Sequence, residues 1–324
     1  MRLSALAVLL VSLVGGVGCQ SPDAPAGPDA VTDALGRSVS LDRPVERVVS
    51  LAPNLTELAY AAGGGSRLVA VTTADDYPPA VDTLDRVSAL PLDFEAVTAQ
   101  NPDLVLATDQ VNPPGDTETF AALDIPVYFF SFASLQDVFD GLRTMGTLLG
   151  TPRAARDSAR ALEARMAALR ARTDDLPARE RPRVLVLIGD ETLYSFGEGS
   201  YVHTLVEAAG GRSITASIDN KAPTLSEEYV LTEQPDVIVG AWGPDYDPAT
   251  LLKHHPTWDV VPALQNDRVY SLPSSLLLRP GPRLVEGAWR LATHLHPSRV
   301  SAPAASTPAV PPPRSAQPAA QAAP

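Results

Sequence analysis

The chain has 324 residues, 45% of them hydrophobic, with a formal net charge of −13 and a single cysteine. Its length suggests about two domains. The acidity excludes nucleic acid as a partner, which calls for a basic face, and a lone cysteine leaves no internal disulfide.

Met1-Arg2 and the apolar run from Leu3 to Val14 have the charged start and short hydrophobic stretch of an export signal. The run is too short to span a bilayer. Cys19 closes it in Val17-Gly18-Cys19, where cleavage and lipidation of the sulfur are expected. Gln20 to Ala30, rich in Pro, Asp, Ala and Gly, reads as a tether. Val31 to Leu41 reads as a hairpin turning at Gly36. Arg47 to Leu51 is a buried-type strand. Asn54, in the turn Ala52-Pro53-Asn54, can cap a helix from Leu55 to Ala62 that stops at Gly63-Gly64-Gly65. Leu68 to Val71 is a strand, and Thr72 to Pro79 a loop with two carboxylates, an aromatic and two prolines. Strands over Leu104–Ala107 and Val127–Phe130 flank a helical stretch near Thr117–Leu123.

Leu135 to Leu149 is helical and leads through Gly150 into the longest helix, Thr151 to Arg172. Thr151 is placed as its N-cap and Pro152 at its first turn, where a missing N–H costs nothing. Ala155, Ala159, Leu162, Met166 and Leu169 make one apolar stripe. This helix is about 30 Å long, the width of a small domain.

After Pro182 the pattern restarts. Val184 to Ile188 is a strand, Tyr194 to Gly199 a loop, and Ser200 to Ala209 a helix stopped at Gly210-Gly211. Strands at Val237–Gly240 and Val269–Leu272 follow, then the loop Ser274–Arg283 and a closing helix, Leu284 to His296. Ser301 to Pro324 is Ala, Pro, Ser and Gln-rich and cannot bury enough apolar surface to order itself.

Two segments on either side of the long helix resemble each other. Glu95, Val97, Pro102 and Asp103 match Glu228, Val230, Pro235 and Asp236. In both, a short helix stops before Pro-Asp and a buried-type strand follows. Alternating strands and helices imply parallel sheets covered on both faces. The expected fold is therefore α/β: two Rossmann-like lobes with parallel-sheet cores, joined by one long backbone helix. The boundaries are a signal at 1–19, a tether at 20–30, an N-terminal lobe at 31–134, a connecting helical segment at 135–181, a C-terminal lobe at 182–297 and a disordered tail at 298–324. Ligands of such sheets sit at the carboxyl ends of the strands, and a cleft between lobes is a natural site.

Arg47-Val48-Val49-Ser50-Leu51-Ala52-Pro53-Asn54 with Thr56-Glu57-Leu58 resembles the opening of ABC-transporter substrate-binding proteins of the helical-backbone class. That class carries cobalamin, heme and ferric siderophores. Asp76-Tyr77-Pro78-Pro79, the paired Pro-Asp segments and Arg279-Pro280-Gly281-Pro282-Arg283-Leu284-Val285 are most similar to its cobalamin-binding branch. The resemblance covers roughly Val31 to Pro297.

It implies a lipid-anchored periplasmic or cell-surface monomer. Such a protein captures a chelate, a corrinoid first and a ferric siderophore or heme as the alternative, and delivers it to an ABC-importer permease dimer. The membrane is met only through the N-terminal lipid. No resident cofactor is implied, since any metal belongs to the ligand. Ligand contacts are placed at Pro53, Asn54, Asp76, Tyr77, Tyr194, Phe196, Trp242 and Arg279, and permease docking at Glu95 and Glu228. The cobalamin branch stacks its ligand on several aromatics. The matching positions here hold Ala74, Leu90, Thr108 and Ala222, with Tyr194 alone aromatic, so Tyr77, Phe196, Trp242 and Tyr246 are candidates for other apolar faces. Arg279 faces either the ligand or Asp75 and Asp76, and Arg283 reads as a brace for the last helix.

Other functions fit less well. Gly197-Glu198-Gly199-Ser200-Tyr201 has the wrong spacing for a nucleophile elbow, and Gly63-Gly64-Gly65-Ser66 lacks the Gly-Lys-Ser/Thr of a phosphate loop, so no catalysis is expected. A protein-built metal site needs about three convergent ligands. His203, His294 and His296 lie on helices, and His254-His255 in a surface-type stretch. A scaffold lipoprotein remains the further alternative.

Overall fold

The computed structural model describes residues 30–41, 43–243 and 245–301. The export signal, Cys19, nearly all of the tether and the tail after Ser301 lie outside the described residues. A hairpin of β1 (Val31–Thr32) and β2 (Ser38–Val39) turns at Gly36, whose φ of +77° favours glycine. The N-terminal lobe follows: β3 (Val48–Ser50), α1 (Pro53–Ala61), β4 (Leu68–Thr72), β5 (Asp85–Val87), α2 (Phe94–Ala99), β6 (Leu104–Thr108), α3 (Asp116–Ala122) and β7 (Val127–Phe130). Its sheet is parallel, in the order β5-β4-β3-β6-β7.

Two antiparallel helices connect the lobes, α4 (Leu135–Leu148) and α5 (Pro152–Thr173). The C-terminal lobe holds β8 (Arg183–Leu187), α6 (Tyr201–Ala208), β9 (Arg212–Ser213), α7 (Glu227–Glu233), β10 (Val237–Gly240), α8 (Ala249–His254), α9 (Pro262–Gln265), β11 (Val269–Ser271), α10 (Ser274–Leu277) and α11 (Leu284–Leu295). Its sheet is parallel too, in the order β11-β10-β8-β9. The expected α/β two-lobe fold with one long bridging helix is the fold of the chain.

The matched Pro-Asp segments have a shared structural task. Asp103 accepts the backbone N–H groups of Glu46 and Arg47, both at 2.9 Å, and so ties the start of β6 to that of β3. Asp236 accepts the N–H of Arg183 at 2.7 Å and ties β10 to β8 in the same way. The residue before each proline, Asn101 or Gln234, turns the chain in the left-handed region.

The stripe read on α5 is buried as expected, with Thr173 added at its end. The packing against α4 is close enough that a Cβ on Gly146 would fall 2.2 Å from that of Ala155. Ser158 donates to the Ala61 carbonyl at 2.7 Å and Thr173 to that of Ala208 at 3.0 Å. Ala61 and Ala208 end α1 and α6, which run back from the carboxyl edge of each sheet, so α5 crosses behind both lobes on the side away from that edge. One continuous core passes from Val39 through α4 and α5 to Trp289 and Val300, and each lobe has a further core on its other sheet face.

Several local expectations shift. α1 starts at Pro53, with Ala52 at the cap, so Asn54 lies inside the first turn and caps nothing. Thr151 sits at the cap of α5, but its ψ of 41° departs from the extended cap conformation and its hydroxyl has no partner. The edge strands β5 and β9 are too short and polar to show as apolar runs, and α10 forms inside the stretch read as a loop. Val300 is fully buried and bonds back to His296, so the folded lobe runs past the boundary drawn at 297.

Candidate functional site

The carboxyl edges of the two sheets meet through a polar bridge. Asn54, on the first turn of α1, donates to the Pro280 carbonyl at 3.3 Å. Glu57, one turn on, is fully buried and accepts from Arg283 Nε and Nη2 at 2.8 and 2.6 Å. Arg279 pairs with Asp76 through both guanidinium ends and donates to the Ala74 carbonyl at 3.2 Å. The Arg283 guanidinium also lies 4.4 Å over the ring of Tyr77. Two carboxylates from the first lobe thus hold two arginines from the second.

The electrostatics follow burial. Desolvation pushes the Glu57 carboxyl up from its ordinary value, and Arg283 and Arg279 pull against that shift. For Asp76 burial works in the same direction, but Arg279 outweighs it and holds the carboxyl below its ordinary value. Asp76 and Arg279 were read as ligand contacts. The structure gives them to each other, the second of the two options for Arg279. Arg283 braces α11 by way of α1.

Apolar side chains stand along the same edge. Leu90, after β5, is 72% exposed, and Tyr194, after β8, is 50% exposed. Tyr194 is held by a bridge to Thr224, with Leu225 N–H donating to Leu193 and Ser195 N–H to Pro223. Ile188, at the end of β8, is partly exposed. Sequence reasoning missed Ile188 as an exposed apolar side chain, reading it only as the end of a strand, and held Leu90 only as the place of an absent aromatic. Ile188 stands one position past the buried strand β8 and Leu90 three positions past the edge strand β5, so only Ile188 carries the signal of an apolar residue directly after a buried run.

Other predicted contacts lie elsewhere. Asn54 is buried, and its amide is spent on Pro280. Pro53 is half-buried at the first turn of α1. Tyr77 and Phe196 pack on the central core. Trp242 and Tyr246, their ring centroids 4.1 Å apart and their planes tilted by 32°, pack against the separate core of the second lobe. A Cβ at Gly240 would fall 2.1 Å from the indole of Trp242, so this glycine lets the ring fold back over the strand end.

Glu95 and Glu228 occupy the same place in their repeats. Each is exposed, and each is the second residue of a short helix capped by Asp93 or Ser226. Among the described residues neither has an ion-pair partner. The N-terminal partial charge of the helix favours a carboxylate there. The histidines are mostly structural. His255 is buried rather than superficial, stacked on Trp258 at 4.4 Å between Glu227 and the Asp190 carbonyl. His203 bridges Gly197 and Ser213. Among the described residues no cluster of three or more His, Cys, Asp and Glu is placed to hold a metal.

Residues 48–276 match the family of periplasmic binding proteins. The vitamin B12-binding protein of Vibrio cholerae is 30% identical over 256 residues, covering 78% of this chain and 90% of that one. The crystal structure of a periplasmic vitamin B12 binding protein of Vibrio cholerae superposes with a TM-score of 0.69 at 29% identity, covering 78% of this chain and 97% of the other. A periplasmic heme binding protein from Pseudomonas aeruginosa gives 0.69 at 26% identity, over 80% and 95%.

Proposed function

This chain belongs to the periplasmic binding protein family, whose matched relatives are named as binding proteins and not enzymes, and from that premise we propose that it captures a corrinoid in the inter-lobe cleft and delivers it to an ABC-importer permease. The observation that carries this reading is the cleft edge itself. It offers Leu90, Tyr194 and Ile188 as exposed apolar surface, while both of its arginines are engaged by Glu57 and Asp76. A broad amphipathic macrocycle buries against such surface. An anionic chelate would first have to displace those ion pairs. Glu95 and Glu228 are the docking carboxylates in this reading, and Cys19 carries the lipid of an exported monomer.

Heme is the second reading. It is favoured by the likeness to the heme binding protein and by the exposed phenol of Tyr194, an oxygen that iron accepts. Calorimetry of a chain starting at Gln20 separates the two. Tight one-to-one binding of cyanocobalamin is expected. Binding of heme or a ferric siderophore instead would keep the transport role and move the ligand, and failure of all three would leave the scaffold alternative.

A further inference from the structure

We propose that His255 is held as an imidazolium that braces the docking helix α7 against the cleft loop after β8, so that a proton on this ring sets how Glu228 is presented to the permease. The role rests on the docking reading of Glu95 and Glu228. His255 is 4% exposed. Its Nδ1 lies 3.0 Å from a Glu227 carboxylate oxygen, and its Nε2 lies 2.8 Å from the Asp190 carbonyl. Both partners are acceptors. A neutral imidazole has one N–H and could satisfy only one of them, leaving two lone pairs opposed at hydrogen-bond distance. The doubly protonated ring satisfies both. The hydrogen bond from His255 holds the Glu227 carboxyl below its ordinary value against the pull of burial, and the Thr257 hydroxyl, 3.2 Å from the other oxygen, adds to that. Glu227 is therefore ionised at neutral pH and cannot be the donor. The ring also stacks on Trp258 at 4.4 Å with planes 19° apart, and an aromatic face favours a cation.

The contact joins the cleft to the docking surface. Asp190 lies in the loop between Ile188 and Tyr194, which closes through the Ile188 N–H and the Tyr194 carbonyl at 2.9 Å. Glu227 opens α7 and directly precedes Glu228. Packing alone holds this helix weakly, since Val230 is its one buried residue. In the first lobe the matching position is Phe94, which precedes Glu95 on α2 and packs on Phe120 with ring centroids 5.0 Å apart. One docking helix is thus fixed by an apolar contact and the other by an ion pair, and only the second responds to protons. Besides Glu227, the titratable groups around the ring are Asp190, His254 and Tyr246. His254 meets His255 edge-on at 6.4 Å, with its own Nδ1 3.8 Å from the Asp190 carboxylate. Burial and the Asp190 charge push the Tyr246 phenol up, so it stays neutral. The two carboxylates favour the charged ring. The brace fails on the alkaline side when the ring gives up a proton, and on the acid side as pH falls through the lowered value of Glu227.

The test is nitrogen-edited NMR of a chain starting at Gln20 with isotope-labelled histidine rings, which retains every element described. Two ring N–H signals from His255 are expected at neutral pH, and the Glu228 amide signal should move with the ring as pH rises. In Glu227→Gln the new amide can donate to Nδ1. A single ring N–H, on Nε2, is then expected, and the alkaline movement of the Glu228 signal should vanish. Binding of the wild-type chain to permease-bearing membranes should weaken on the order of tenfold on the alkaline side, relative to Glu227→Gln. A neutral ring in the wild type, a Glu228 amide indifferent to the titration of the ring, or matching pH profiles for the two proteins would each overturn the proposal and leave the docking reading standing. Undiminished membrane binding by Glu95→Ala with Glu228→Ala would instead remove the docking reading and this role with it, even with both ring protons in place.

Discussion

Glu57 is the residue on which the lobe-to-lobe contact turns. A fully buried carboxylate survives only because Arg283 meets it with two hydrogen bonds. Glu57→Gln should therefore cost about 3–5 kcal/mol in urea unfolding, by leaving a buried guanidinium uncompensated. A paired replacement, Glu57→Leu with Arg283→Met, should recover most of that loss. Asp103 makes the opposite case for pH. Burial raises its carboxyl, but the N–H donors of Glu46 and Arg47 and the charges of Arg43 and Arg47 outweigh it, so its value lies below the ordinary one. A carboxyl depressed in the folded state stabilises above its unfolded value, and the gain disappears as pH falls through the folded value. The wild-type urea midpoint should thus drop more steeply on acidification than that of Asp103→Asn. Neither role was legible locally. Glu57 looks like any helix-interior glutamate, and its partner lies 226 positions along the chain.

At the scale of elements, α4 and α5 pack as closely as a missing side chain allows. Gly146→Ala would gain up to about 1 kcal/mol of helix propensity. It would also place a Cβ 2.2 Å from that of Ala155, and overpacking of this kind costs about 1–3 kcal/mol. The clash wins, so the variant should melt lower, and Ala155→Gly in the same chain should restore the melting temperature. Elements that are long and periodic could be read from the sequence. The α5 stripe and the matched Pro-Asp segments repeat a pattern that burial demands. The short edge strands β5 and β9, three and two residues long, carry no pattern of their own and exist because a neighbour offers hydrogen bonds. Among the candidate contacts, the exposure of Tyr194 was legible because its loop follows a strong strand. Trp242 was not, since its position depends on the bare Cα of Gly240.

Across the whole molecule, the two lobes share one core. Glu95→Ala with Glu228→Ala should abolish uptake in cells and leave calorimetric affinity unchanged, because both side chains are exposed and unpaired among the described residues. A loss of affinity would remove them from docking. The shared core has a temporal side as well. Val39 and Val300 belong to the same cluster, so the main core cannot close until nearly the last described residue has left the ribosome. At common rates of synthesis that delay is on the order of tens of seconds. During it the nascent chain lacks its folded state, and a secretion machine that threads only unfolded polypeptide meets no resistance. The architecture that fixes the lobes in the finished protein also sets the window in which the protein is still a passenger.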